Sequence, residues 1–238
     1  MQVELIAYSA PIKGRCNPMA IVERCASVCY DSEPDFDKFR ISKGCAKTGH
    51  MSVYEHAYFT FHVSGISRAC LAQLSRHRHI SLSVRSQRYC DEGGNGVLGC
   101  IVPKAFNHEQ FDIAMQTYSE EIDKYQVLLA SGAAKEDARM VLPNAMETEL
   151  YLSANARALI EASHLRLCSR AQEEIRTMFG KMKEEVEQVS PEIAEMMVPK
   201  CEVNPSYPFC TERKSCGKHP PLSEVYGKCN GNCEAKNK

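Results

Sequence analysis

What this sequence lacks narrows it first. No run of about 18 apolar residues occurs, which excludes a membrane-spanning helix and a membrane partner. The opening MQVELIAYSAPIKGR carries Glu4 and has no basic stretch ahead of an apolar core, so no secretory signal is recognisable. A cytoplasmic protein is expected. Charge excess is missing too: 29 basic against 30 acidic side chains leave a net −1 over 238 residues. A protein that coats nucleic acid usually carries a basic surplus across its domain, so that class is disfavoured. Internal repeats are absent, as is any long linker before about residue 199. With 44% hydrophobic and 25% charged residues, a single compact domain over 1–198 is expected, followed by a tail over 199–238.

The pattern of the chain is that of an α+β protein. VELIAYS alternates as a strand, and Pro18 opens a helix over 18–29. DFDKFRISKGCAK reads as a third, helical segment ending near Gly44. AYFTFHV (57–63) is aromatic and β-branched, which favours a strand that Gly65 breaks. Ser67 then caps a helix through ISRACLAQLSRHR. From His108 to Ala130, Phe111, Met115, Tyr118, Ile122, Tyr125 and Leu129 recur at three- and four-residue steps, marking a long amphipathic helix. AKEDARMVL is a short helix stopped by Pro143, ETELYLS a strand, and Asn155 opens a two-piece helical run to Val189 that Pro191 closes.

One stretch contradicts the neutral balance. RHRHISLSVRSQRY (76–89) holds four arginines and two histidines with no acid. Arginine's planar fork matches pairs of phosphate oxygens, and gathering several costs repulsion that an anion relieves. On composition alone three readings stand: an idle solvated run, an RNA-binding module over 76–88, or a cradle for a small phosphorylated ligand. Other polar clusters add weight to the last. GHMSVYEH (49–56) brings His50, Ser52, Glu55 and His56 together, Arg139 precedes a proline stop, and Asn155, Arg157, Arg166 and Arg170 fall on helical segments.

The order of these pieces resembles the flavin-dependent thymidylate synthases. That family's RHR-x7-S signature stands here as Arg76-His77-Arg78, seven residues, then Ser86. GHMSVYEH, SRACLAQLSRHR, ARMVLPNAMET and NARALIEASHLR follow the family's supporting motifs in the same order, over about residues 30 to 170. The resemblance implies a mixed central sheet flanked by long helices. It also implies a homotetramer whose active sites are shared between subunits, with no nucleic acid as partner. The implied reaction is reductive methylation of dUMP to dTMP, with FAD as cofactor and 5,10-methylenetetrahydrofolate and NADPH as co-substrates.

By the same resemblance, Ser52, Arg76, His77, Arg78, His79, Asn155, Arg157 and Glu161 contact FAD. Gln73, Leu74, Ser75, Arg76, Val84, Arg85, Ser86, Gln87, Arg88, Arg139 and Arg166 bind dUMP, and Arg166 polarises the uracil ring. That last role agrees with the chemistry, because a guanidinium at the ring's N3/O2 edge stabilises charge developing there without covalent attack. No cysteine nucleophile is needed, and Ser86 among arginines is a positioning group. Val84, Arg85, Glu161 and Arg170 depart from the commoner residues at their positions.

Five of the 13 cysteines crowd the tail: Cys201, Cys210, Cys216, Cys229 and Cys233. Their spacing does not match paired C-x2-C zinc motifs. No metal is expected, and surface thiols or a mobile tail is the reading carried forward. A zinc site completed by Cys229, Cys233 and His219 is the alternative.

Overall fold

Phe59, Phe61 and Val63 point one way along one strand, and Leu150, Leu152 and Ala154 along its neighbour; all are buried. These are the two inner strands of a four-stranded sheet in a computed structural model that describes residues 1–14, 16–92 and 99–229. The strands are β1 (Gln2–Tyr8), β2 (Tyr58–Ser67), β3 (Ile80–Val84) and β4 (Glu147–Asn155), in the order β1-β2-β4-β3. Every pairing is antiparallel, so the α+β class holds while the sheet is not mixed. One face is apolar. The other presents Tyr58, His62 and Tyr151, the arrangement an antiparallel sheet covered on one side adopts.

Helices α1 (Pro18–Cys29), α2 (Arg40–Lys47) and α3 (Arg68–Leu74) precede the long α4 (His108–Ala130) and the short α5 (Lys135–Ala138). Then come α6 (Ala156–Arg166), α7 (Glu173–Val189), α8 (Pro191–Ala194) and α9 (Leu222–Cys229). Ile175, Met178, Phe179, Met182 and Val186 of α7 form a helical stripe within the core. The α1–α2 pair is tied by Glu23, a buried carboxylate that accepts from the backbone of Asp35, Ile41 and Ser42 and from the Ser42 hydroxyl.

Several expectations shift. Gly65 does not end β2 but forms an irregularity between Ser64 and Ile66. Its φ of +71° and the backbone of Met1, 2.7 Å from where a Cβ would stand, both require glycine there. Residues 35–39 are a turn held by the Asp35 carboxylate, so α2 starts only at Arg40. Pro191 opens α8 rather than closing a helix, its missing N–H costing nothing at a first turn. In α4, Tyr125 is buried but Phe111 and Met115 remain 45% exposed, so the stripe is not covered within one chain.

Two junctions set up the site. Ser67 ends β2 and caps α3, its Oγ accepting from Cys70 N at 3.0 Å while the Glu174 carboxylate accepts from Ser67's own N–H and hydroxyl. Asn155 ends β4 and caps α6, its Oδ1 accepting from Ala158 N at 2.8 Å. Tyr58 pairs with Asn155, and Ile80 with Ala154. The 49–56 turn, the RHR turn and the start of α6 therefore meet at one end of the sheet. Val84 pairs with Leu150, which sends Ser86–Arg88 to the other end.

Candidate active site

At the first end lies a cleft of about 420 Å³ lined by His77, Arg78, His79, Asn155, Arg157 and Glu161, with Glu55 and Leu165 among its other walls. A recess of about 240 Å³, lined by Gly49 to Val53 and so including Ser52, shares Arg157 with it. Arg157 donates to Glu161 and to Glu55, both at 2.7 Å. Its charge is spent inside the protein. Arg76 and Arg78 are exposed and make no ion pair among the described residues, leaving two guanidinium forks for an anion. His79 takes φ +60°, a left-handed conformation that turns the chain sharply from the RHR segment into β3.

Arg166, at the last turn of α6, reaches across to this turn. Its Nε donates to His77 Nε2 at 2.7 Å and its Nη2 to the Gln73 carbonyl at 3.0 Å. Burial, then the neighbouring Arg166 charge, pushes the His77 pKa below its ordinary value, so the ring is neutral and accepts. Burial, with Arg76 close by, lowers that of Arg166, which stays cationic. The linkage follows. In the window between the ordinary histidine value and the depressed one, the unfolded chain binds the proton first, so stability falls as pH falls through it. Protonation also removes the acceptor for Arg166. Turnover is therefore expected to show an acid limb below the usual histidine range, and His77→Gln, which keeps an acceptor, should flatten it in a kcat–pH profile.

The second end holds Ser86, Gln87, Arg88 and Arg139. Glu136 organises it: its carboxylate accepts from Arg88 Nε at 2.7 Å and its carbonyl from Arg139 Nε at 3.0 Å. Ser86 Oγ accepts from Arg88 N at 3.2 Å, and the Arg88 guanidinium lies 5.6 Å from the Tyr89 ring. Two residues expected to bind the nucleotide have their side chains engaged within the chain. Leu74 is wholly buried in the core, so its side chain packs rather than faces a nucleotide. Arg85 lies between the buried Glu92, at 3.8 Å, and Glu149, at 3.9 Å, while its carbonyl accepts from Arg68. Val84 is half-buried in β3, and Ser75 spends its hydroxyl on the Ala72 carbonyl. The basic run is thus not one patch but two clusters at opposite ends of β3, which leaves the RNA-binding alternative without a continuous basic face.

A family profile described as "Thymidylate synthase complementing protein" matches residues 5–192. The flavin-dependent thymidylate synthase of Geobacter sulfurreducens is 38% identical over 225 residues, covering 88% of this chain and 94% of its own. The chain belongs to the flavin-dependent thymidylate synthases. The synthase of Clostridium tetani is 32% identical over 95% of this chain and 97% of its own. Two solved structures share the fold. One is the UMP/dUMP methylase PolB of Streptomyces cacaoi bound with 5-Br dUMP (TM-score 0.68, 24% identity, 87% of this chain and 95% of that one). The other is the flavin-dependent thymidylate synthase of Helicobacter pylori complexed with FAD and dUMP (TM-score 0.59, 23% identity, 78% and 93%).

For a flavin-dependent thymidylate synthase the first cleft is well furnished. A bipartite space joined at Arg157 suits a bipartite dinucleotide, and its size is that of ordinary ligand sites. The free fork of Arg78 suits a phosphate, and carboxylates at Glu55 and Glu161 suit hydroxyl donors. Sequence reading missed Glu136 and Gln172, the latter bonded to the Gln73 side chain. Only Glu136 carries a signal, its spacing three residues before Arg139.

Proposed function

We propose that the enzyme makes dTMP from dUMP in a site assembled from more than one copy of the chain, with methylenetetrahydrofolate as carbon donor and NADPH as reductant. The reading rests on one observation, Arg166 held by His77 and Gln73 beside the free forks of Arg76 and Arg78. FAD would be held by Arg76, Arg78, His79, Asn155 and Glu161, with Ser52 and Arg157 at the joined recess, and when bound it supplies the hydride for the reduction. The chain's own groups do the rest. Gln73 orients the pyrimidine, and Arg166 stabilises negative charge as it builds on the uracil ring. Neutral His77 fixes the guanidinium's plane, so no reorganisation is needed as charge develops. Ser86, Gln87, Arg88 and Arg139 would take the nucleotide's sugar and phosphate.

Distance argues for sharing. From His79 to Arg85 the chain advances six steps, about 20 Å at the rise of a strand. One nucleotide stacked on a flavin at the first end does not reach the same chain's Arg88. The uncovered apolar stripe of α4 and the open Tyr58–Tyr151 sheet face support packing against further copies, and we take the assembly to be a homotetramer. Substrates of this kind place the reaction in the cytoplasm. The test is dTMP formation from dUMP, methylenetetrahydrofolate and NADPH by purified protein with and without added FAD. A protein that retains no flavin and forms no dTMP after reconstitution overturns the reading.

A further inference from the structure

Beyond Met197, Cys210 is the only buried apolar side chain among the described residues. The segment over 199–221 has little regular structure, yet it folds back on the turn between α6 and α7. Arg170 donates to the Lys214 carbonyl at 3.2 Å, and Cys210 exchanges backbone hydrogen bonds with Pro220 and Leu222. Apolar burial of that size does not order twenty residues, and small units of this kind need a staple.

Cysteines stand where the staple would be. Cys168, Cys201, Cys210, Cys216 and His219 line one pocket of about 120 Å³. Cys201, Glu202 and His219 already bring donor atoms within 4.8 Å of one another. Glu202 is spent on its neighbours: one oxygen meets both Lys218 and His219 Nε2, the latter at 3.2 Å. That leaves His219 Nδ1 for a ligand, with the carboxylate orienting the ring from behind, as carboxylates do for metal-bound histidines. The turn Cys216-Gly217-Lys218-His219 has the short spacing of a metal knuckle. Gly217 takes φ +90°, and the backbone N–H of Lys218 donates to the Cys216 sulfur. The eleven cysteines from Cys16 to Cys216 are free thiols.

We propose that this pocket takes one zinc-class ion: Cys201 and His219 already stand together, and two of Cys168, Cys210 and Cys216, which line the same pocket at longer range, close in on the ion to complete four tetrahedral donors. Thiolate and imidazole together select zinc over the oxygen-seeking cations. Each thiol that coordinates gives its proton to solvent. Binding therefore tightens as pH rises. The ion would join three separated parts of the chain: the turn two residues beyond Arg166, the 200–202 turn and the 210–219 loop.

The full chain, purified reduced without chelator, incubated with Zn2+ and desalted, is expected to retain one equivalent by elemental mass spectrometry. Replacement by Co2+ should give a thiolate-to-metal charge-transfer band and the intense visible bands of a tetrahedral ion. The double substitution Cys201→Ser with Cys216→Ser should lose the ion while bound FAD, a separate site, is unchanged; Cys16→Ser should keep it. The proposal is overturned by no retained ion in the unaltered chain, by an octahedral Co2+ spectrum, or by an intact-mass loss showing disulfides in place of thiols. Retention in the double variant overturns it equally. Should that variant fail to fold, the Co2+ spectrum of the unaltered chain decides.

Discussion

Arg166→Ala is expected to slow dTMP formation by about 100- to 1000-fold, the loss typical of one preorganised donor at a site of developing charge. Its guanidinium is fixed on two sides, by His77 Nε2 and the Gln73 carbonyl, so it arrives already aimed. Alanine leaves both acceptors without their donor and leaves the uracil ring without its counter-charge. Flavin content should persist, because Arg76, Arg78 and Asn155 are untouched. Arg166→Lys keeps the charge but loses the fork, and should recover only part of the rate. Single-turnover measurement of dTMP, with flavin absorbance read on the same sample, checks both halves. A near-normal kcat in Arg166→Ala would remove the residue from its role.

The second large effect comes from mixing two defective enzymes. Arg78→Ala damages the flavin end of every chain, and Arg88→Ala the nucleotide end. Each variant alone should be nearly inactive, with a weakened flavin complex in the first and a raised KM for dUMP in the second. If a complete site draws its two ends from different chains, co-assembled mixtures contain sites in which both ends are intact. Random assembly makes these about a quarter of all sites, so activity should return from near zero to about that fraction. Mixtures that stay inactive after verified subunit exchange would show that each chain serves its own site.

Much of the fold was legible because local signals agreed with one another. β1, α1 and α4 fall where alternation, Pro18 and the three- and four-residue steps place them. The caps at Ser67 and Asn155 are visible as polar side chains opening apolar helical runs. Gly65 misled because a glycine that breaks a strand and one that kinks it look alike until a neighbour's backbone presses on it. Strand direction was not legible either, since register is decided by partners far along the chain. At the site, motif order named His77, Arg78, Asn155 and Arg157 together, and they line one cleft. It said nothing of which arginines are already neutralised. Arg85 and Arg157 look as free as Arg76 in the sequence, but their acids come from positions 92, 149, 55 and 161.

Glu136 gives the nucleotide end a character of its own. With its carboxylate on Arg88 and its carbonyl on Arg139, it would compete, under the proposed assignment, for the place a nucleotide's phosphate takes. An arriving dianion must displace it, and the binding energy is the difference between two anions rather than the gain of one. A neutral nucleoside has nothing to exchange and leaves the latch shut. On the proposed assignment, selectivity for nucleotide over nucleoside would come from a residue that need never touch the product.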